Sequence, residues 1–236
     1  MTNETLLIPN KSDIERDSIA DSWKNNGGEV LRIGKFWERP DVDSEKRLTI
    51  YGIDTFSLVL AQVLGLKLIE PKDELISELD FNWIKRKIEI VTIQEIKNSL
   101  FPIFIKPVKP KTFKSSVYND FDSFTKETKG IEQNEQIITS NIIKIESEIR
   151  AFILDNKILD MAIYEGNSNL ESAREFLTDF LQNHSIDLPE SYVIDLGFNQ
   201  TDKWFVIEFN SSWGAGLNSC DPNKVINGIR AATINK

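Results

Sequence analysis

A single cysteine and a single histidine occur in 236 residues. That scarcity excludes a disulfide scaffold, a zinc site of Cys and His, and a Cys–His nucleophile pair. Long apolar runs are also missing. The longest, Phe56–Leu68, is interrupted by Gln62 and is shorter than the roughly 20 residues of a membrane-spanning helix. Met1–Asn10 has neither a cationic start nor a long apolar core, so no secretory signal is expected and the chain reads as cytoplasmic. Positive charge is in deficit: 28 Lys plus Arg face 37 Asp plus Glu, for a net charge of −9. This argues against a nucleic-acid partner held by bulk positive charge. What remains is a 40% hydrophobic chain, able to bury a core in one large domain or two small ones. One absence is local. No acidic residue lies between Glu95 and Asp120, while Lys97, Lys106, Lys109, Lys111 and Lys114 all fall there.

Caps, glycines and apolar spacing predict the elements. Ser12 and Glu15 stand at capping-box spacing before a helix over about Asp13–Asn25, which Gly27-Gly28 would end. Glu29–Ile33 reads as a strand. Asp54 can cap a second helix with the stripe Phe56, Val59, Leu60 and Val63, stopped by Gly65. A short strand at Leu66–Ile69 follows, and Pro71 opens a small helix to about Leu79. Such alternation favours an open α/β layer. Beyond Lys85, Ile88–Val91 is β-branched, Thr92 and Glu95 form another capping box with a helix to Leu100, and Phe101–Pro107 reads as a buried strand ending in Lys-Pro. Ser116–Tyr118 and Ile137–Ile138 extend that sheet. The last part holds two hairpins, Glu148–Leu154 with Lys157–Tyr164 around Asp155-Asn156, and Tyr192–Phe198 with Trp204–Asn210. Ser168 and Glu171 cap a helix to about Asn183, and Asp221-Pro222 starts a final one.

The last hairpin carries the sharpest chemical signal. Side chains alternate faces along a strand, so Glu208 and Asn210 point one way and Ile207 and Phe209 the other. Asp195 interrupts an apolar run on the partner strand and can reach the same face. Two carboxylates and an amide oxygen suit Mg²⁺, which takes the rest of its shell from water and phosphate. The same alternation equally suits a half-solvated sheet face. Lys106 stands at the mouth of the strand Ile103–Ile105, where a compact cation can meet a phosphate or simply snorkel to solvent. Taken together, the acid-free stretch supplies cations for phosphate oxygens and the Asp/Glu/Asn set supplies anions for a metal on those oxygens.

In that order the residues resemble the ATP-grasp enzymes, in particular small stand-alone ATP-grasp proteins of bacterial and phage genomes. The ordered set is Lys106-Pro107, the linker Ser140–Ile145, Glu148-Ile149-Arg150, Asp195, Glu208-Phe209-Asn210 and the Gly-containing loop Ser211–Gly216. The resemblance covers roughly Arg86 to the C-terminus. It implies a mixed α/β (α+β) fold, with two lobes gripping a nucleotide over residues 86–145 and 146–236 and a small α/β domain over 1–85.

The resemblance also implies roles. ATP and Mg²⁺ are the expected cofactors. Lys106 and Arg150 would serve the reacting phosphates, with Arg86 and Lys114 as further phosphate-side cations. The backbone of Ser140, Asn141, Ile142 and Ile143 would hold the adenine edge, and Glu148 the ribose hydroxyls. Asp195, Glu208 and Asn210 would ligate the metal, and Ser212, Trp213 and Gly214 would line the acceptor pocket. The implied activity is a ligase joining a carboxylate to an amine, with a small molecule, a peptide or a protein terminus as acceptor and neither nucleic acid nor membrane as partner. A small-molecule kinase and a catalytically weakened nucleotide-binding module are the alternatives on the same scaffold. Two departures bear on them: the segment Val108–Ser116 after Lys-Pro has no glycine, and Ile158–Tyr164 lacks a basic residue.

Overall fold

The computed structural model describes residues 3–43, 45–109 and 111–235. The first segment contains β1 (Glu4–Pro9), α1 (Ile14–Asn25), β2 (Glu29–Ile33), β3 (Arg47–Ile50), α2 (Asp54–Leu64), β4 (Lys67–Leu68) and α3 (Phe81–Ile84). Its sheet is parallel, of order β2-β1-β3. Helix α1 starts one residue later than its capping box suggests, because the Asp13 carboxylate takes the Arg16 amide at 3.0 Å. Helix α2 has Ile53 at its N-cap, with Asp54 already in the first turn and Gly65 left-handed at its end. The stretch expected as a helix after Pro71 is a 3₁₀ winding over Asp73–Glu78 that buries Leu75 and Ile76.

The next part holds β5 (Ile88–Thr92), β6 (Ile103–Pro107), β7 (Ser116–Tyr118), α4 (Phe121–Glu127) and β8 (Gln136–Ser140), as an antiparallel sheet of order β5-β8-β6-β7. The capping box forms at Thr92 and Glu95, yet only two 3₁₀ turns follow, Ile93–Glu95 and Asn98–Leu100. Pro102 bars the α conformation at Phe101, and Ile93 and Ile96 are both drawn into the core beneath this sheet.

The last part holds β9 (Ser147–Leu154), β10 (Lys157–Gly166), α5 (Leu170–Asn183), β11 (Ser191–Asn199), β12 (Lys203–Asn210), α6 (Pro222–Ala231) and β13 (Thr233–Ile234). The four long strands run antiparallel in the order β10-β9-β11-β12, and β13 returns to pair with β4. The N-cap of α5 is Asn169, whose side-chain oxygen accepts the Glu171 and Ser172 amides.

Both faces of this sheet are covered, which fixes where polar side chains can emerge. One face sets Ile149, Ala151, Ile153, Ile194 and Leu196 against Ala173, Leu177 and Phe180 of α5. On the other, Phe152 and Val193 pack with Ile19 and Trp23 of α1 and Val225 and Ile229 of α6. By alternation, Glu148 and Arg150 share the face of Phe152, and Asp195 that of Val193. Strand β12 adds a bulge: Asp195 pairs with Glu208 but Leu196 pairs with Val206, leaving Ile207 as an extra residue. Before it, Trp204 and Val206 face the α5 core. After it the parity is reversed, and Glu208 and Asn210 join Asp195 on the opposite face.

Candidate functional site

Pairing across β9, β11 and β12 sets Arg150 beside Asp195 and Asp195 beside Glu208. Arg150 grips Asp195 with a fork: Nε donates to Oδ1 at 2.9 Å and an Nη to Oδ2 at 2.7 Å. Its other Nη donates to the Gly216 carbonyl at 3.0 Å, tying the strand to the glycine loop. Asn210 Nδ2 donates to Asp195 Oδ2 at 3.1 Å and to Glu208 Oε1 at 3.3 Å. Glu148 accepts the Tyr164 hydroxyl at 2.5 Å, and Tyr164 sets its ring against the Arg150 guanidinium.

The charges are strongly conditioned by burial. Asp195 is 2% exposed, and burial pushes its carboxyl up despite the opposing pull of Arg150. Burial alone would lower Arg150, but its bonds to Asp195 reverse this and hold it above its ordinary value. Tyr164 is raised by burial and by the charge of Asp195. Arg86 is brought down to about 10 by burial, with Glu208 as the opposing charge. Its guanidinium donates to the carbonyls of Ile84 (2.9 Å), Val206 (2.9 Å) and Ile207 (3.0 Å).

Two cavities flank this network. The first, of about 280 Å³, has apolar walls from Ile76, Ile88, Phe104, Ile138 and Ile207, and the chain Ser140–Ile143 runs along it. Lys106 and Glu208, from different sheets, both reach it, as does Arg86. Ile142 is 51% exposed there although it is a large apolar residue. An apolar slot with a few convergent polar groups is the usual form of a small-molecule site. The second cavity, of about 780 Å³, lies between the start of α2, residues 70–74, and the loop of Ser211, Trp213, Gly214 and Ala215. Asp54, Glu70, Asp73 and Glu74 make one wall, and Lys72, Lys109 and Lys111 also line it. Burial raises the carboxyls of both Glu70 and Asp73, and neighbouring acids reinforce the shift. Asp54 is partly neutralised by Lys111 at 2.9 Å.

The structure therefore brings Lys106, Arg86, Ser140, Asn141, Ile142, Ile143 and Glu208 around one cavity, with Asn210, Asp195, Arg150 and Glu148 in a connected network beside it. Trp213 and Gly214 line the larger chamber, Trp213 with an indole nitrogen that has no partner. Two expected residues stand elsewhere. Ser212 is fully buried, its Oγ 2.9 Å from that of Ser191 beneath α6, and Ser211 lines the chamber instead. Lys114 is exposed and lines neither cavity; its amide donates to Glu127 and its carbonyl accepts from Tyr118. Tyr164 and the acidic wall were missed by sequence reasoning. Tyr164 shared its strand's alternation with nothing that marked it, and the acids sat in a segment read only as a helix.

The donor set can be tested against a divalent cation. Among the described residues no cluster of three or more His, Cys, Asp or Glu side chains is spaced to hold a metal. Mg²⁺, however, needs only one or two carboxylates when phosphates complete its shell. Glu208 keeps one oxygen free of hydrogen bonds among the described residues, and Asn210 turns its amide nitrogen to the acids, leaving its carbonyl oxygen available. Asp195 is mostly engaged by Arg150. The residues fit a phosphate-borne Mg²⁺ held chiefly by Glu208 and Asn210.

Comparisons with known proteins agree with this layout. The sequence profile of an ATP-grasp domain family, the second family of its clade, matches residues 83–227. No curated protein sequence matches. Among solved structures, a RimK domain ATP-grasp protein from Sphaerobacter thermophilus is 12% identical with a TM-score of 0.59, covering 97% of this chain and 98% of that one. N5-carboxyaminoimidazole synthase from Aspergillus clavatus, in complex with ADP and its ribonucleotide, is 9% identical with a TM-score of 0.61, over 100% of this chain and 79% of that one. A RiPP-associated ATP-grasp ligase from Chryseobacterium gregarium, with ADP and a leader and core peptide, is 12% identical with a TM-score of 0.55, over 98% and 96%. At these identities the likeness is one of fold. No helix among the described residues is long and apolar enough to cross a membrane.

Proposed function

The chain belongs to the ATP-grasp domain family whose profile it matches, and from this premise we propose that it is a Mg·ATP-dependent ligase joining a carboxylate to an amine. The observation that carries the reading is the meeting of Lys106 and Glu208 on one apolar cavity. Adenine would lie between the apolar walls against the Ser140–Ile143 backbone, with the phosphates running toward Lys106. Mg²⁺, held by Glu208 and Asn210 with Asp195 beside them, would neutralise charge on the phosphate oxygens.

A carboxylate oxygen of the donor substrate attacks the γ-phosphorus, ADP leaves, and an acyl phosphate forms. The amine then attacks the acyl carbon, the C–O bond to phosphate breaks, and an amide and free phosphate result. Arg150 is fixed by Asp195 and the Gly216 carbonyl, so its charge is already in place when negative charge builds on the transferring group. The 780 Å³ chamber suits the acceptor. Its acidic wall can hold an ammonium group, and the raised carboxyls of Glu70 and Asp73 are better bases than ordinary ones for the proton an attacking amine must lose. Lys109 and Lys111 offer counter-charge for the donor carboxylate. No protein nucleophile is needed, in keeping with a chain of one Cys and one His.

The test is release of ADP and phosphate from Mg·ATP in the presence of pooled amino acids and short peptides. Equimolar ADP and phosphate from the wild type, and none from Glu208→Gln, is expected. Turnover by purified, folded Glu208→Gln equal to the wild type would refute the assignment.

A further inference from the structure

Glu208 and Asn210 face the cleft only because of the bulge at Ile207. A regular strand would keep them in phase with Trp204 and Val206, which point into the α5 core. What holds the bulge is therefore a functional question. The β12 strand is at the edge of its sheet, so half of its carbonyls have no ladder partner. In a regular strand successive carbonyls point to opposite edges. Here two successive ones, Val206 and Ile207, are both taken by Arg86, at 2.9 and 3.0 Å. The same side chain also takes the Ile84 carbonyl at the end of α3, at 2.9 Å. The chain reaches this position through Lys85, whose φ of 52° is left-handed and turns the backbone back over the helix end. The Phe205 ring packs 5.8 Å from the guanidinium carbon.

We propose that Arg86 is a positioning residue: its guanidinium pins the Val206–Ile207 bulge and thereby sets the face on which Glu208 and Asn210 stand. It also ties the first residues of the β5-β8-β6-β7 part to the strand that bears those groups. Three of its five N–H donors are spent on backbone carbonyls, so contact with phosphate is not its main work. An ammonium is a compact point donor and does not reproduce a planar fork across three carbonyls. Charge alone will not replace it.

The inference rests on the proposed nucleotide site only for its functional consequence, so two readouts are needed. In the ligand-free protein, hydrogen exchange of the 205–210 amides is expected to accelerate in both Arg86→Lys and Arg86→Met, with α5 and β9 unchanged. In titrations with Mg·ADP, both variants are expected to bind about 10- to 100-fold more weakly than the wild type, the range usual for a supporting residue behind a ligand. Wild-type exchange at 205–210 in Arg86→Lys overturns the proposal. So does near wild-type affinity in Arg86→Lys with large loss in Arg86→Met, the pattern of a cation that touches phosphate. If Arg86→Met does not fold, Arg86→Lys carries both arms. If the wild type itself binds no Mg·ADP, the nucleotide reading fails while the exchange measurement still judges the pin.

Discussion

Replacing Asp195 with asparagine removes the anion from a buried pair and leaves the cation behind. The side chains of Arg150 and Asp195 are 12% and 3% exposed, so neither is rescued by water. An asparagine presents one acceptor and one N–H₂ group to a guanidinium that donates on both sides, so one of the bonds at 2.9 and 2.7 Å becomes a donor–donor clash. Breaking a buried pair from one side costs about 3–5 kcal/mol. For a chain of this size each kcal/mol moves the midpoint by about 2–4 °C, so Tm should fall by roughly 6–20 °C. Calorimetry without nucleotide or metal measures this free of any binding effect. The converse variant, Arg150→Met, strands a carboxyl that burial already raises. A group with a raised folded pKa is tolerated when protonated and costs stability as pH rises through that value. The loss in Arg150→Met should therefore widen from pH 5 to pH 8. A fall of less than about 2 °C in Asp195→Asn, or a pH-independent loss in Arg150→Met, would refute the claim that this pair is a buried clamp.

Two further outcomes follow from the same physics. Asp73 is raised by burial and by neighbouring acids, so its charge opposes folding; Asp73→Asn should raise Tm at pH 7, and the gain should shrink to nothing below the ordinary carboxyl range near pH 4, as melting across pH will show. Gly166 has φ +72°, and a Cβ there would lie 2.1 Å from the Glu146 carbonyl oxygen; Gly166→Ala should lose at least about 2 kcal/mol, seen as a lower urea midpoint with unchanged slope.

Much of the layout was legible because local signals and tertiary demand agreed. Gly65 ends α2 in the left-handed conformation its position suggests, and Pro222 opens α6 behind the Asp221 cap. Asp155-Asn156 makes the β9–β10 turn with both residues at positive φ. Elements without strong punctuation escaped: β3 at Arg47–Ile50, the short α3, and α4 behind Asp120. The Thr92 capping box was real but started only a 3₁₀ turn, since a cap fixes where a helix begins and says nothing of whether burial sustains it. At the site, the sequence placed Glu208 and Asn210 on one face by simple alternation. That conclusion survives, but for a reason alternation does not contain. The bulge makes Ile207 share their side, as its place with Lys106 and Glu208 around one cavity shows, and only Phe209 turns to the α5 core. Long-range placement was the least visible. Nothing local in Arg86 reveals that it reaches β12, and nothing in Glu70 or Asp73 marks a chamber wall formed by the distant loop Ser211–Ala215.

The most direct measurement is the shift in Tm caused by a non-hydrolysable Mg·ATP analogue. At a hundredfold excess over Kd, binding to the folded state alone adds about 2.7 kcal/mol, or roughly 5–11 °C here. That rise is expected for the wild type and should be largely lost in Lys106→Met and Glu208→Gln, whose side chains meet on the 280 Å³ cavity. No rise in the wild type, or an equal rise in all three proteins, would contradict a nucleotide site at that place.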